Sequence, residues 1–145
     1  MHPLSPVLLI AGASASRGLR FDRSGIRFVN NAGYRSHYDH RSRKSSWPLP
    51  RARTCDVLAG FAEDKGALVK EASEGDVFLC YCRFARRFVR AGIIVSVDLE
   101  YIWQGESVYC CTTVEGGESR SRTLTPGTGD RFIHWVDLEW RRHAA

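Results

Sequence analysis

Cys55, Arg90, Glu115 and His134 are the residues of this chain whose types and spacing bear on covalent chemistry. Nucleophilic hydrolysis needs a thiolate, a base that generates it and a polar group that orients the base. Cys55 follows Thr54, a good helix cap, and heads an amphipathic pattern running to about Ala67. A thiol in the first turn of a helix faces backbone N–H groups and the positive end of the helix dipole. Both favour the thiolate, and the same N–H groups can serve as an oxyanion hole. Taken alone, a cysteine in such a helix is more often a core residue. Among the histidines, His134 stands in Arg131–Val136, an alternating stretch whose competing reading is sheet packing. His37 and His40 are the remaining candidate bases. His37-Tyr38-Asp39-His40 also invites a metal reading, without an evident fourth ligand.

The elements that would position these residues follow from pattern. Leu58, Phe61, Ala62 and Leu68 fall on one face of the Cys55 helix, with Asp56, Glu63, Asp64 and Lys65 outward. Gly75-Asp76 enters a first strand over 77–81. Gly92–Val97 is a second strand, rich in β-branched residues, and 107–114 a third, after a turn at Gln104-Gly105-Glu106. Residues 118–130 read as a polar loop, and Arg131–Val136 as a last strand. Residues 3–16 read as a short helix or strand, and 17–53 as loop with at most a small strand or helical turn. The prolines of Trp47-Pro48-Leu49-Pro50 close that region. One helix and four antiparallel strands make an α+β domain. The chain fits a single domain over 1–145, with its core in 54–138 and an N-terminal part, 1–53, that the pattern defines poorly.

The stretch from Glu74-Gly75-Asp76 through Ala91-Gly92-Ile93-Ile94-Val95, with Thr54-Cys55-Asp56-Val57-Leu58 upstream, Val114-Glu115-Gly116 downstream and the closing Arg131-Phe132-Ile133, resembles the papain-like cysteine amidases and peptidases of the CHAP and NlpC type. The resemblance covers roughly 54–138 and rests on the order and spacing of these motifs. It implies a papain-like α+β fold with a nucleophile helix packed on an antiparallel sheet, and cleavage of cell-wall peptides without metal or other cofactor. It makes Cys55 the nucleophile and Glu115 the third residue. The family's histidine position, in a His-x-Gly-Ile-Val pattern, is Arg90 here. Arginine keeps its proton at physiological pH and cannot serve as general base, a contribution commonly worth about 10²–10⁴ in rate. Glu115 beside Arg90 would form an ion pair more readily than orient a base. The resemblance thus carries two expectations, an impaired hydrolase or a non-catalytic module that keeps the cleft. In either, Arg90, Asp76 and Trp47 are the candidate substrate contacts. Tyr34, Trp103 and Trp135 could also line a groove, although scattered aromatics are core residues more often.

Composition bounds the partners. The net charge is +5, and between Arg35 and Arg53 six Arg or Lys residues face one acid, Asp39. Such a surface suits polyanions: a peptidoglycan peptide, another acidic polymer, or nucleic acid, for which no motif speaks. A solvated basic loop is the plainer account. No apolar run is long enough for a membrane span, and the N-terminus lacks the positively charged start of a secretory signal, which is disfavoured. Five cysteines in no zinc-knuckle spacing argue against a disulfide framework and for a reducing compartment.

Overall fold

The computed structural model of the chain describes residues 23–116, 118–135 and 138. Among them, two α-helices accompany a six-stranded sheet, an α+β arrangement. Helix α1 spans Ile26–His37 and α2 spans Cys55–Asp64. Between them, β1 (Tyr38–Asp39) and β2 (Lys44–Ser45) form a small separate hairpin. The main sheet comprises β3 (Leu68–Val69), β4 (Val77–Cys82), β5 (Arg87–Trp103), β6 (Glu106–Glu115), β7 (Glu118–Leu124) and β8 (Arg131–Ile133). Its order is β3-β8-β4-β5-β6-β7, every pairing antiparallel.

Helix α1 corrects the expectation of loop over 17–53. Ile26, Phe28, Val29, Ala32, Gly33 and His37 are buried along it, a helical stripe that the flanking Arg, Asn and Ser residues obscure. Gly25 opens the helix at φ 75 and passes so close to Ala91 that a Cβ would collide with the Ala91 carbonyl. The N-terminal residues from 26 to 52 therefore share one core with the rest of the described chain. The expected element over 3–16 lies outside the described residues.

Helix α2 begins where expected, with Thr54 Oγ1 accepting from Val57 N at 3.2 Å. It stops at Asp64, because Gly66 takes φ 69 and the Ala67 N–H turns back to the Ala62 carbonyl. Leu68 consequently belongs to β3, not to the helix face.

Strand alternation gives the sheet two apolar faces. Val77, Leu79, Ala91, Ile93, Val114 and Ile133 pack under the helices. Phe78, Ile94, Tyr109, Cys111, Leu124 and Phe132 form a second cluster on the other side. Three strand expectations need correction. The second strand starts at Arg87 and runs to Trp103, 17 residues rather than six. The loop over 118–130 is strand β7 followed by a 3₁₀ turn at Pro126–Thr128. Only Leu124 of β7 is buried, as suits a polar edge strand, so it lacks an apolar period. The last strand ends at Ile133, before His134.

Candidate functional site

Cys55 lies at the start of α2, 2% exposed, on the helix side of the sheet. Its Sγ donates to the Ser24 carbonyl at 3.6 Å, and Ala91 N donates to the same oxygen at 2.6 Å. A carbonyl oxygen only accepts, so this contact suits the protonated thiol and opposes the thiolate that the helix terminus would favour. Asp56, next along the helix, accepts from Phe88 N at 2.7 Å and ties the helix start to β5.

Arg90 is the neighbour of Ala91 on the strand and so points to the opposite face. There its Nη1 meets Glu115 Oε1 at 3.4 Å. Glu115 also receives the Arg122 fork, Nη2 to Oε1 at 2.7 Å and Nε to Oε2, and the Thr113 hydroxyl at 3.1 Å. The Glu115 side chain is 4% exposed, so two guanidinium groups surround one buried carboxylate. The hydrogen bonds to Glu115 raise the Arg122 pKa further. Cys80 faces Arg90 across β4 and β5, and its thiol is pushed up to about 12, first by burial and then by the Asp130 charge. The expected grouping of Cys55, Arg90 and Glu115 is therefore divided. Arg90 and Glu115 are joined, and Cys55 lies on the far side of the sheet with Ala91 at its level.

His134 finds a different partner. The register Val77↔Ile133, continued one step, sets Asp76 opposite His134. Their side chains meet through Nδ1 and Oδ2 at 2.7 Å, with the imidazole 24% and the carboxylate 7% exposed. The same carboxylate oxygen accepts from Ser73 N at 2.9 Å. Asp76, a candidate substrate contact, is thus a buried side chain that fixes the imidazole. This pairing is the functional geometry that motif reading missed; the signal was the antiparallel fit of the Gly75-Asp76 strand to the strand ending in His134. Asp76 bonds β5 at Ile94, three residues from Ala91, which is about 10 Å along a strand at ~3.3 Å per residue.

Trp47 corrects another expectation. It is 8% exposed and packs against His37 and Trp135, ring centroids 4.8 and 5.2 Å away. Trp135 is fully buried and donates its indole N–H to the Gly75 carbonyl at 2.8 Å. Both tryptophans are core residues, and a side chain on Gly33 would overlap the Trp47 indole. His37, placed in the basic loop by pattern, ends α1 inside this aromatic cage. Neither of its ring nitrogens has a well-aligned partner among the described residues. Burial lowers its pKa to about 4, and the Gly33 carbonyl one turn back only weakly offsets this.

The basic surface does form a concavity. A cleft of about 250 Å³ is lined by Arg27, Asn30, Asn31 and Arg51. Asn30 locks its wall by bonding the Ala52 carbonyl and N–H, and the Arg51 guanidinium lies 4.9 Å over the Tyr34 ring. Among the described residues no group of three His, Cys, Asp or Glu side chains is placed to hold a metal ion. No helix among them is long and apolar enough to cross a membrane. No family model, curated protein or solved structure matches the chain.

Proposed function

We propose that this chain is a papain-like domain of the cell-wall amidase type that binds an acidic peptide or glycan polymer without hydrolysing it. The observation that carries this reading is the setting of Cys55: a buried thiol that donates to a carbonyl, with Ala91 at the strand position a base would need. Arg90, in the histidine position of the resembling family, is held on the other face by Glu115. The cleft between Arg27 and Arg51 supplies positive charge for an anionic polymer without a carboxylate in its lining.

Purified peptidoglycan tests the reading by co-sedimentation and by release of soluble muropeptides, with the native protein, Arg90→His and Cys55→Ala. The expected result is salt-sensitive sedimentation with all three and release from none. Equal retention on DNA of matched charge would replace the wall polymer with a generic polyanion. Release by the native protein that Cys55→Ala abolishes would overturn the proposal.

One observation favours a hydrolase instead, the imidazole of His134 oriented by a buried carboxylate at 2.7 Å. Nδ1 bound to Asp76 leaves Nε2 as the proton acceptor, the arrangement a general base requires. One register step from Val77 and Ile133, the pair lies on the Phe78 and Phe132 face, opposite Cys55, so in that case His134→Ala abolishes release and Cys55→Ala does not.

A further inference from the structure

The outer part of the β5–β6 hairpin leaves the sheet. β4 pairs with β5 as far as Ile93, and Gly75 and Asp76 add backbone bonds at Ile94. Beyond that, β5 pairs only with β6 among the described residues, and β7 reaches no further along β6 than Tyr109. Glu100–Trp103 and Glu106–Val108 thus form a two-stranded arm. Leu99 (55%), Tyr101 (41%), Ile102 (65%) and Trp103 (63%) are exposed along it. Such a concentration of large apolar side chains on a protruding ribbon marks a contact surface.

The arm's geometry specifies what fits. Gln104 and Gly105, at φ 51 and 77, make a two-residue turn. Trp103 and Glu106 are then the hydrogen-bonded pair, so Ile102 and Glu100 direct their backbone N–H and C=O to the open edge. Leu99, Tyr101 and Trp103 share one face. Their β6 partners there are Cys110, Val108 and Glu106. The Asp98 carboxylate lies on this face too, held by the Ser96 and Thr112 hydroxyls at 2.7 Å each. Glu100 occupies the reverse face. Three acids, Asp98, Glu100 and Glu106, lie on or beside the arm, and residues 91–119 contain no Lys or Arg, in a chain of net charge +5.

We infer that this arm docks an extended segment of another protein in which apolar residues alternate with Lys or Arg. The added strand bonds Glu100 and Ile102 through its backbone. It lays its apolar side chains beside Leu99, Tyr101 and Trp103 and turns its cations to the reverse face, against Glu100. A second copy fits less well: antiparallel self-pairing on this edge, centred on Tyr101, sets Glu100 opposite Ile102 and brings the two Glu100 carboxylates into diagonal positions on one face with no cation between them. An anionic membrane surface would repel the same carboxylates. This site is separate from the basic cleft and stands whether or not the proposed polymer binds there.

The probe is a labelled Lys-Val-Lys-Val-Lys-Val-Lys peptide, compared with Val-Val-Val-Lys-Lys-Lys-Lys by fluorescence anisotropy near physiological salt. The alternating peptide should bind, and the block peptide should bind roughly tenfold more weakly. Trp103→Ser and Glu100→Lys should each weaken binding by roughly tenfold, the loss typical of a central contact residue. Both side chains lie outside the core, so an unchanged melting temperature certifies the fold of each variant. Binding should add hydrogen-exchange protection at the Glu100 and Ile102 amides and leave Tyr101 and Trp103 unchanged. Absence of binding, equal binding of both peptides, or indifference to Trp103→Ser overturns the inference. So does concentration-dependent self-association that Trp103→Ser abolishes, because the occupant is then a second copy.

Discussion

His134 and Asp76 stand opposite each other one register step beyond Val77 and Ile133, joined Nδ1 to Oδ2 at 2.7 Å. The Asp76 carboxylate serves both the imidazole and the Ser73 N–H, so it holds the 73–76 turn and the end of β8 together. Asp76→Ala removes the one oxygen that accepts from both groups at a buried position. It should cost about 2–3 kcal/mol, in the range for stranded buried donors. His134→Ala should cost less, because the Ser73 N–H stays on the carboxylate. Urea denaturation of the two variants gives the order, and a larger loss for His134→Ala would show that the imidazole is the main anchor.

Glu115 is the buried anion of a three-residue ion cluster, and its two cations are unequal. Arg122 makes a forked contact and is 24% exposed; Arg90 makes a single 3.4 Å contact and is 37% exposed. Removing the carboxylate leaves guanidinium groups against a buried site, which costs about 3–5 kcal/mol. The expected order of destabilisation is Glu115→Ala, then Arg122→Ala, then Arg90→Ala, the last within the ~0–1 kcal/mol of exposed pairs. Chemical denaturation at pH 7 checks it. An Arg90→Ala loss equal to that of Glu115→Ala would mean that Arg90 is the principal partner.

The α+β class, the start of α2 and the central strands were legible because each has a strong local signature. Thr54 caps, Gly75-Asp76 turns, and the apolar runs of β4 and β5 lie buried. Helix α1 and strand β7 were hidden for opposite reasons. In α1, a narrow apolar stripe is diluted by Asn30, Asn31, Arg35 and Ser36. In β7, pairing with β6 rather than burial makes the strand. At the site, the ion pair of Arg90 with Glu115 follows from two adjacent strand ends of opposite charge. Which sheet face each side chain takes does not, because a one-residue step decides it. That step sends Arg90 away from Cys55 and leaves Ala91 there.

His37 should make the protein acid-labile. Burial depresses its folded pKa to about 4, against 6.5 in the unfolded chain. Below pH 6.5 the unfolded state takes up a proton that the folded state refuses. Stability is therefore complete above pH 6.5 and falls as the pH drops towards about 4, by an amount on the order of 3 kcal/mol. His37→Phe, which keeps a ring between Trp47 and Trp135, should remove that part of the loss. Urea midpoints at pH 7 and pH 4.5 test this. An unchanged difference between the two pH values in the variant would assign the acid lability to other groups.

Cys80 should act at the other end of the pH scale. Burial, with the Asp130 charge adding to it, lifts its thiol from 9.0 to about 12 in the folded protein. The folded state thus holds a proton that the unfolded chain releases above pH 9. The contribution is fully present below pH 9 and is lost as the pH rises through about 12, at roughly 1.4 kcal/mol per pH unit. Cys111, pushed up to about 11 mainly by burial, adds a smaller loss in the same direction. Cys80→Ala leaves a cavity and should be the less stable protein at pH 8. By pH 10.5 its deficit should shrink by about 2 kcal/mol, since it has no thiol to ionise on unfolding. Comparing native and variant at the two pH values cancels the common titration of lysines and tyrosines. A deficit that stays constant would place the Cys80 thiol in contact with water and leave the Arg90–Glu115–Arg122 cluster without its dry flank.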